Sequence, residues 1–210
     1  MELKPEGLLL VDSGGHYLEG TTDITRTFAL GAVTEEMKAD FTRVCRANMN
    51  LANARFLYGC SGANLDILAR QPLWEVNKDY KHGTGHGVGH ILNVHEGPNG
   101  IHWGRESYRC PLEEGMITTD EPGVYIEGKY GIRLENELVC RKGEKNEYGQ
   151  FLYFENLTFV PIDLDVIEPG QMNETEKGFL NAYHKEVYEK ISPLLTKEEA
   201  EWLKEYTREI

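Results

Sequence analysis

The sequence predicts an α+β chain in which antiparallel strands carry the polar residues of interest and helices flank them. Three observations carry that expectation. Short apolar or β-branched runs, among them Leu8-Leu9-Leu10-Val11 and Ile24-Thr25-Arg26-Thr27-Phe28, stop at acidic or glycine-rich segments before any helical period develops. Residues 82 to 100 are rich in glycine and histidine, and each glycine inside a helix costs about 1 kcal/mol relative to alanine, so no regular helix is expected there. Helix-start chemistry recurs at Thr34, Asn173 and Thr196.

Taken in order, Leu8–Val11 reads as a buried strand ending at Asp12, Ser13-Gly14-Gly15 as a turn, and Ile24–Phe28 as a second strand. Thr34 is placed to cap a long helix, with Glu35 and Glu36 at its positive end. Phe41, Val44, Cys45, Asn48, Leu51, Ala52 and Phe56 follow a roughly helical spacing after it. A second helix is expected from about Asn64 and stops before Pro72. Met116–Thr119 and Ile132–Leu134 read as strands, and the charged run Arg141–Asn146 as a hairpin tip. Two terminal helices, about 173–191 and 196–208, should pack through Phe179, Leu180, Tyr183, Val187, Leu203 and Tyr206; Thr196-x-x-Glu199 is a capping box.

The bulk properties narrow the function classes. A chain of 210 residues, 40% hydrophobic and 27% charged, suits one globular domain with a small appendage. Its net charge of -13 argues against a nucleic-acid partner, which requires a basic surface. No apolar run approaches the ~20 residues of a membrane helix, so no membrane partner is expected. Met1–Glu6 lacks the basic and apolar regions of a signal peptide. Cys45, Cys60, Cys110 and Cys140 form no CxxC pair, and free thiols in a reducing cytoplasm are expected.

Four histidines, His82, His86, His90 and His95, interleave with Gly83, Gly85, Gly87, Gly89 and Gly97. The glycines permit close backbone approach to a ligand, although a flexible loop with surface histidines would look the same in isolation. Asp12 ends one apolar strand and Asp23 precedes another, where a lone aspartate is ordinarily a turn or cap residue. Thr119-Asp120-Glu121-Pro122-Gly123 offers a further acid at a strand end. Gly131-Ile132-Arg133-Leu134-Glu135 puts Arg133 and Glu135 on one strand face, because side chains alternate; an ion-paired surface strand is the alternative. Together the segments supply Asp, Asp, His, Glu and Glu. That donor set suits two hard or borderline divalent ions, Mn²⁺, Co²⁺ or Zn²⁺, and without a cation the four carboxylates would repel one another.

In their order, Asp-Ser-Gly-Gly, Thr-Thr-Asp-Ile-Thr-Arg-Thr, His-Gly-Thr-Gly-His-Gly-Val-Gly, Val-His-Glu-Gly-Pro, Asp-Glu-Pro-Gly-Val-Tyr and Gly-Ile-Arg-Leu-Glu-Asn resemble the methionine aminopeptidase, prolidase and aminopeptidase P superfamily. The similarity is greatest to the aminopeptidase P branch, and Phe151-Leu-Tyr-Phe-Glu-Asn-Leu-Thr-Phe-Val-Pro161-Ile looks like the start of that branch's C-terminal extension. The resemblance implies a pita-bread fold, with a catalytic domain over 1–150 and the extension over 151–210. It implies that Asp12 holds one metal alone, that Asp23 and Glu135 bridge both, and that His86 and Glu121 complete the second. A metal-bridging hydroxide would then attack the carbonyl before proline, with Glu121 as proton shuttle, His82 and His95 in the substrate pocket, and Arg133 orienting the bridging acids. Mn²⁺ is the expected metal, and the expected substrates are peptides with proline in second position.

Two departures accompany the resemblance. His90 stands where relatives usually carry a small residue, and it is read as incidental. Catalytic domains in the family begin some tens of residues earlier, so the chain is expected to lack the first N-terminal layer, as a fragment or a short natural form. A folded, metal-competent chain with weak or no activity by itself follows. Prolidase activity and a non-catalytic protein on the same fold are the rivals. The aromatic residues of the terminal helices, Tyr183, Tyr188, Trp202 and Tyr206, lead us to expect a homodimer contact there.

Overall fold

A computed structural model of the chain describes residues 2–91, 93–106 and 109–210. It begins with an antiparallel hairpin of β1 (Leu8–His16) and β2 (Thr21–Ala29), with Asp12 opposite Thr25 and Gly14 opposite Asp23. β1 therefore runs through Ser13-Gly14-Gly15, where a turn was expected, and the chain reverses only at 17–20. The reason is steric. A side chain at Gly14 would put its Cβ 2.5 Å from the Thr22 carbonyl oxygen, so glycine lets the two strands close here.

Thr34 caps α1 (Glu35–Ala52) as expected, its hydroxyl accepting from the Met37 amide at 3.2 Å. β3 (Arg55–Leu57) leads to α2 (Gly62–Trp74), which contains Pro72 and ends two residues after it. Pro72 lacks the amide of a helical bond and its ring crowds the carbonyl four residues before it, but it falls in the last turn, where burial of Pro72 and Leu73 offsets the cost. The glycine- and histidine-rich stretch forms β4 (Gly85–Val88) and β5 (His95–Ile101). β6 (Ile117–Asp120), the hairpin of β7 (Gly123–Ile126) and β8 (Tyr130–Arg133), and the long pair β9 (Asn136–Asn146) and β10 (Gly149–Asn156) follow. Arg141–Asn146 is thus the outer part of β9 rather than a tip. Its charges stay in solvent, with Arg141 bonded to Glu155 at 2.8 Å and Lys142 to Glu114 at 2.9 Å. Leu134 and Glu135 lie between β8 and β9, so the expected continuous strand through Arg133 and Glu135 is interrupted at the step from one sheet to the next.

Six strands make one antiparallel sheet in the order β3-β10-β9-β6-β4-β5. α1 buries two faces. Ala47, Leu51 and Ala52 pack with Leu65, Ala69, Ile101, Leu138 and Leu152 of α2 and the sheet, while Phe41, Val44 and Met49 face the other way. The second core contains α3 (Glu174–Ile191) and α4 (Lys197–Tyr206), which contribute Leu180, Tyr183, Val187 and Leu203. Both helices start at the expected caps, Asn173 and Thr196, with reciprocal bonds from Glu176 and Glu199. Among the described residues no helix is long and apolar enough to cross a membrane. Cys45, Cys60, Cys110 and Cys140 are free thiols.

β4 is held between β5 and β6, with His86 opposite Gly100 and Gly87 opposite Thr118. Gly85 makes that fit possible, because a Cβ there would lie 1.8 Å from the Thr119 carbonyl oxygen. Gly85→Ala should therefore push β4 off β6 and cost about 3 kcal/mol, the upper range for overpacking. Urea denaturation monitored by tryptophan fluorescence measures it, and an unchanged midpoint would contradict this account of the seam.

Candidate metal centre

The register of the first hairpin places Asp12 and Asp23 on one face, since paired residues share a face and Asp23 and Thr25 are two apart. Asp12's side chain remains 52% exposed, while Asp23's is 13% exposed. Hydrogen bonds stitch β2 to the end of β8 and the segment after it. The Glu135 amide donates to the Thr25 carbonyl at 3.0 Å, and the Thr27 hydroxyl donates to the Arg133 carbonyl at 2.9 Å. The Thr25 hydroxyl then donates to Glu135 Oε2 at 2.6 Å, which aims that carboxylate at the two aspartates.

His86 arrives from the opposite side on β4. Its amide donates to the Thr119 hydroxyl oxygen at 3.0 Å, and its Nδ1 lies 2.9 Å from the Gly87 carbonyl. With Nδ1 donating to that carbonyl, Nε2 faces Asp23 Oδ2 at 3.5 Å and Glu121 Oε1 at 3.4 Å. Burial lowers the ring's pKa, but the bonds to Asp23 and Gly87 and the Glu121 charge raise it overall, so Nε2 becomes a ligand atom when a cation displaces its proton. Glu121 follows β6; its amide donates to the Thr84 carbonyl at 2.7 Å and its Oε1 accepts from the Thr119 hydroxyl at 3.1 Å.

Three groups of ligand atoms result, each within 4.8 Å: Asp12, Asp23 and Glu135; His86, Glu121 and Glu135; and Asp23, His86 and His95. The first two share Glu135, and Asp23 and His86 link them to the third. All five residues expected as ligands are thus brought together. His95, expected in the pocket, adds a donor beside them, its ring meeting the His86 ring edge-on at 4.1 Å. His82 stands further along, Nε2 at 2.9 Å from the Tyr125 hydroxyl and Nδ1 at 2.7 Å from the Gly83 carbonyl. Burial lowers its pKa, with Arg133 and Arg70 adding to the effect, so the ring is neutral at pH 7. His90 bonds the Leu18 carbonyl at 3.0 Å and belongs to none of the three groups.

Arg133 donates through Nη2 to Asp12, through Nε to the Thr25 hydroxyl at 3.1 Å, and through Nη1 to the Tyr125 hydroxyl at 3.0 Å. Its carboxylate partner is therefore Asp12, and it reaches Glu135 through Thr25. Thr25, Thr119 and Tyr125 were not singled out in the sequence, although Asp23, Thr25 and Thr27 alternate as a polar strand face should. Behind His82, the buried Arg70 of α2 bonds Asp66 at 2.5 Å, the Tyr80 carbonyl at 2.7 Å and the His82 carbonyl at 3.0 Å. Asp66 also accepts from Thr84 and from the Trp103 amide.

The charge balance shows what the site needs. Burial, then the Glu121 carboxylate, push Glu135 up to about 8; burial pushes Glu121 up to about 7 against the pull of His86 and Thr119. Burial and Asp23 push Glu137 up to about 7. Burial, with Glu121 and Glu135 nearby, holds Asp120 well above the carboxylate range, and neither of its side-chain oxygens has a partner. Two carboxylates ~4 Å apart repel by about 4 kcal/mol at an effective dielectric of 20. A hydrogen bond to a charged group contributes about 1.5–3 kcal/mol, so Thr25 and Thr119 cannot offset the set. Divalent cations can, and the oxygen-rich, single-imidazole donor set fits them. Two open cavities of about 350 Å³ meet at His95, one lined by Asp12, His16 and Asp23, the other by His82, His86, Arg105 and Glu121.

Residues 1–142 match the model of metallopeptidase family M24, and residues 150–210 match that of the C-terminal region of peptidase M24. The chain belongs to this metallopeptidase family, and its fold is the pita-bread fold. Within the family it is 44% identical over 207 residues to a probable Xaa-Pro aminopeptidase P of Laccaria bicolor, covering 96% of this chain and 32% of that protein. It is 42% identical over 212 residues to aminopeptidase P1 of Arabidopsis thaliana, covering 100% and 33%. An X-prolyl aminopeptidase from Caenorhabditis elegans, described as a cytosolic enzyme with a di-nuclear active site, superposes with a TM-score of 0.89 at 38% identity, covering 99% of this chain and 36% of that one. The prolidase of Pyrococcus furiosus gives 0.61 at 31%, covering 73% and 41%. The chain spans about a third of the length of the curated relatives it matches.

The carboxylates give a signed pH dependence. In the metal-free fold Glu121, Glu135 and Glu137 keep protons up to about 7, 8 and 7, whereas unfolded glutamates lose theirs near 4.5. The folded state then binds more protons, so stability falls as pH rises until these groups ionise. His82 and His184, both lowered, oppose the trend near pH 6.5, where unfolded histidines still hold about half a proton each, but the three glutamates outweigh them and the opposition fades above about 7.5. In chelator, Tm should fall between pH 6.5 and 8.5, and Mn²⁺ should raise Tm more at 8.5 than at 6.5, because binding displaces those protons. A metal-free Tm that climbs across this window would refute the balance described.

Proposed function

We propose that the chain is the catalytic region of a two-metal Xaa-Pro aminopeptidase that removes the first residue of peptides carrying proline second. The observation that supports this reading is the convergence of Asp12, Asp23, His86, Glu121 and Glu135 into overlapping groups of ligand atoms. Asp12 would hold one ion, Asp23 and Glu135 would be shared by both, and His86 and Glu121 would hold the other. Bound divalent cations, with Mn²⁺ the proposed pair, would supply Lewis acidity and a bridging water ionised to hydroxide near neutral pH.

The side chains do the rest. Glu121, deprotonated beside the ions, would take a proton from the attacking water and return it to the departing proline nitrogen. His82, neutral and held between Tyr80 and Tyr125, gives its one ring proton to the Gly83 carbonyl and turns Nε2 to the Tyr125 hydroxyl, and it lines the substrate cavity together with His95. Arg133 fixes Asp12 and, through Thr25, the outer oxygen of Glu135. Residues 1–150 form the catalytic unit and 151–210 its extension. A cytoplasmic homodimer, with Trp202 of α4 left 57% exposed for a contact, completes the proposal. Tyr183 takes no part in such a contact, being 4% exposed.

Elemental analysis after purification in Mn²⁺ tests the assignment. Asp23→Ala and Glu135→Ala should each lose both ions, His86→Ala preferentially one, and all should lower cleavage of an Xaa-Pro-Xaa tripeptide by the full-length protein at least 10²-fold. A full metal complement in Glu135→Ala would sink the ligand assignment. Turnover of Xaa-Pro dipeptides with none of tripeptides would make the protein a prolidase.

A further inference from the structure

Arg26 lies on β2 next to Thr25, is 3% exposed, and its partners are carbonyls, an amide and a phenol rather than a carboxylate. Nη1 donates to the Thr25 carbonyl at 2.9 Å and to the Glu135 carbonyl at 2.7 Å. Nη2 has Asn136 Oδ1 at 2.7 Å, the Val160 carbonyl at 2.7 Å and the Tyr183 hydroxyl at 2.8 Å, and Nε reaches the Pro161 carbonyl at 3.2 Å. The planar fork therefore uses every N–H, and its two halves face different parts of the molecule. One half grips the junction at which Glu135 is set against Thr25. The other grips the connection after β10 and the middle of α3.

We propose that the C-terminal segment supports the metal centre, acting through Arg26 as a positioning residue on the Thr25–Glu135 junction. This rests on the reading of Glu135 as a shared ligand. The connection is itself anchored on both sides: the Thr158 hydroxyl accepts from the Glu137 amide at 2.9 Å, and the Ile162 amide donates to His184 of α3 at 3.0 Å. Tyr183 closes the arrangement, since the Val160 and Thr158 carbonyls lie 2.9 and 3.0 Å from its hydroxyl. An ammonium could not replace the guanidinium, for three donors on a flexible stem cannot serve two carbonyl groups at each of two opposite edges. Displacement of α3 would thus reach Glu135 through a rigid group rather than be absorbed by soft packing.

A purely structural tether and a support of the site differ in what they do to metal affinity. Tyr183→Phe keeps the ring and removes the hydroxyl, and Leu203→Ala, in the α4 packing, serves as a control outside Arg26's hydrogen bonds. Calorimetric titration of the metal-free chain with Mn²⁺, beside Tm, is the measurement. Tyr183→Phe should weaken binding about 10-fold and Arg26→Gln about 10- to 100-fold, the range for partners of metal ligands. Arg26→Lys should not rescue affinity. Leu203→Ala should stay within twofold of the unsubstituted chain while lowering Tm at least as far as Tyr183→Phe. Unchanged affinity in Tyr183→Phe, or a loss in Leu203→Ala matching its Tm, overturns the inference and leaves the metal site standing. Absence of Mn²⁺ binding in the unsubstituted chain overturns the site and the inference together.

Discussion

Four carboxylates from separate segments are directed at one small volume, and their mutual repulsion is the constraint around which the rest of the chain is arranged. Asp12 and Asp23 come from one hairpin, Glu121 from the end of β6, and Glu135 from the step between two sheets. Left to themselves such groups move apart or take up protons. Here the backbone forbids the first. The Glu135 amide is tied to Thr25, the Glu121 amide to Thr84, and β4 cannot shift because Gly85 already lies against the Thr119 carbonyl. What remains is protonation or a cation. With Nδ1 bonded to the Gly87 carbonyl, His86 turns Nε2 toward Asp23 and Glu121, where it either shares a proton with the acids or gives that proton up to face a cation.

The hydroxyl-bearing strand residues make that arrangement specific. Thr25 gives its proton to Glu135 and accepts from Arg133, so one side chain fixes both a carboxylate and the cation beside it. Thr119 does the corresponding work on the other side, accepting from the His86 amide and donating to Glu121. Each is a short β-branched group with few rotamers, which keeps the positioning cost low. Arg133 pairs with Asp12, the most exposed of the set, and so steadies it beside the buried carboxylates.

The residues that converge on the site were legible in the sequence because each sits in a local pattern: an acid where an apolar strand stops, a histidine among glycines, a glutamate before Pro-Gly. The helix caps at Thr34, Asn173 and Thr196 were legible for the same reason, since a cap is a bond across three residues. The sheet order was not. β10 joins β3 across almost a hundred residues, and nothing in Arg55-Phe56-Leu57 marks it as an edge strand. Turn chemistry also misled where glycines served close approach instead, as at Gly14-Gly15. Arg141–Asn146 reads as a loop because strand residues in solvent carry charges just as loops do. Thr25, separated from Glu135 by 110 residues, bears no local mark of its role.

The same limit hides the link between the terminal region and the site. By sequence, residues after 150 look like an appended packing layer, with aromatic residues suited to an interface. In the fold, β10 lies inside the main sheet, and the connection after it turns back beneath β2 to meet Arg26. A buried guanidinium without a carboxylate partner is expensive to maintain unless every donor is used. It sits here where the first hairpin, the Glu135 step and α3 come together. Packing alone would be better served by an apolar residue of the same volume. The choice of arginine is explained by geometry: five donors in a plane can hold two backbone segments at a set separation. The separation so held is the one on which the Glu135 carboxylate depends.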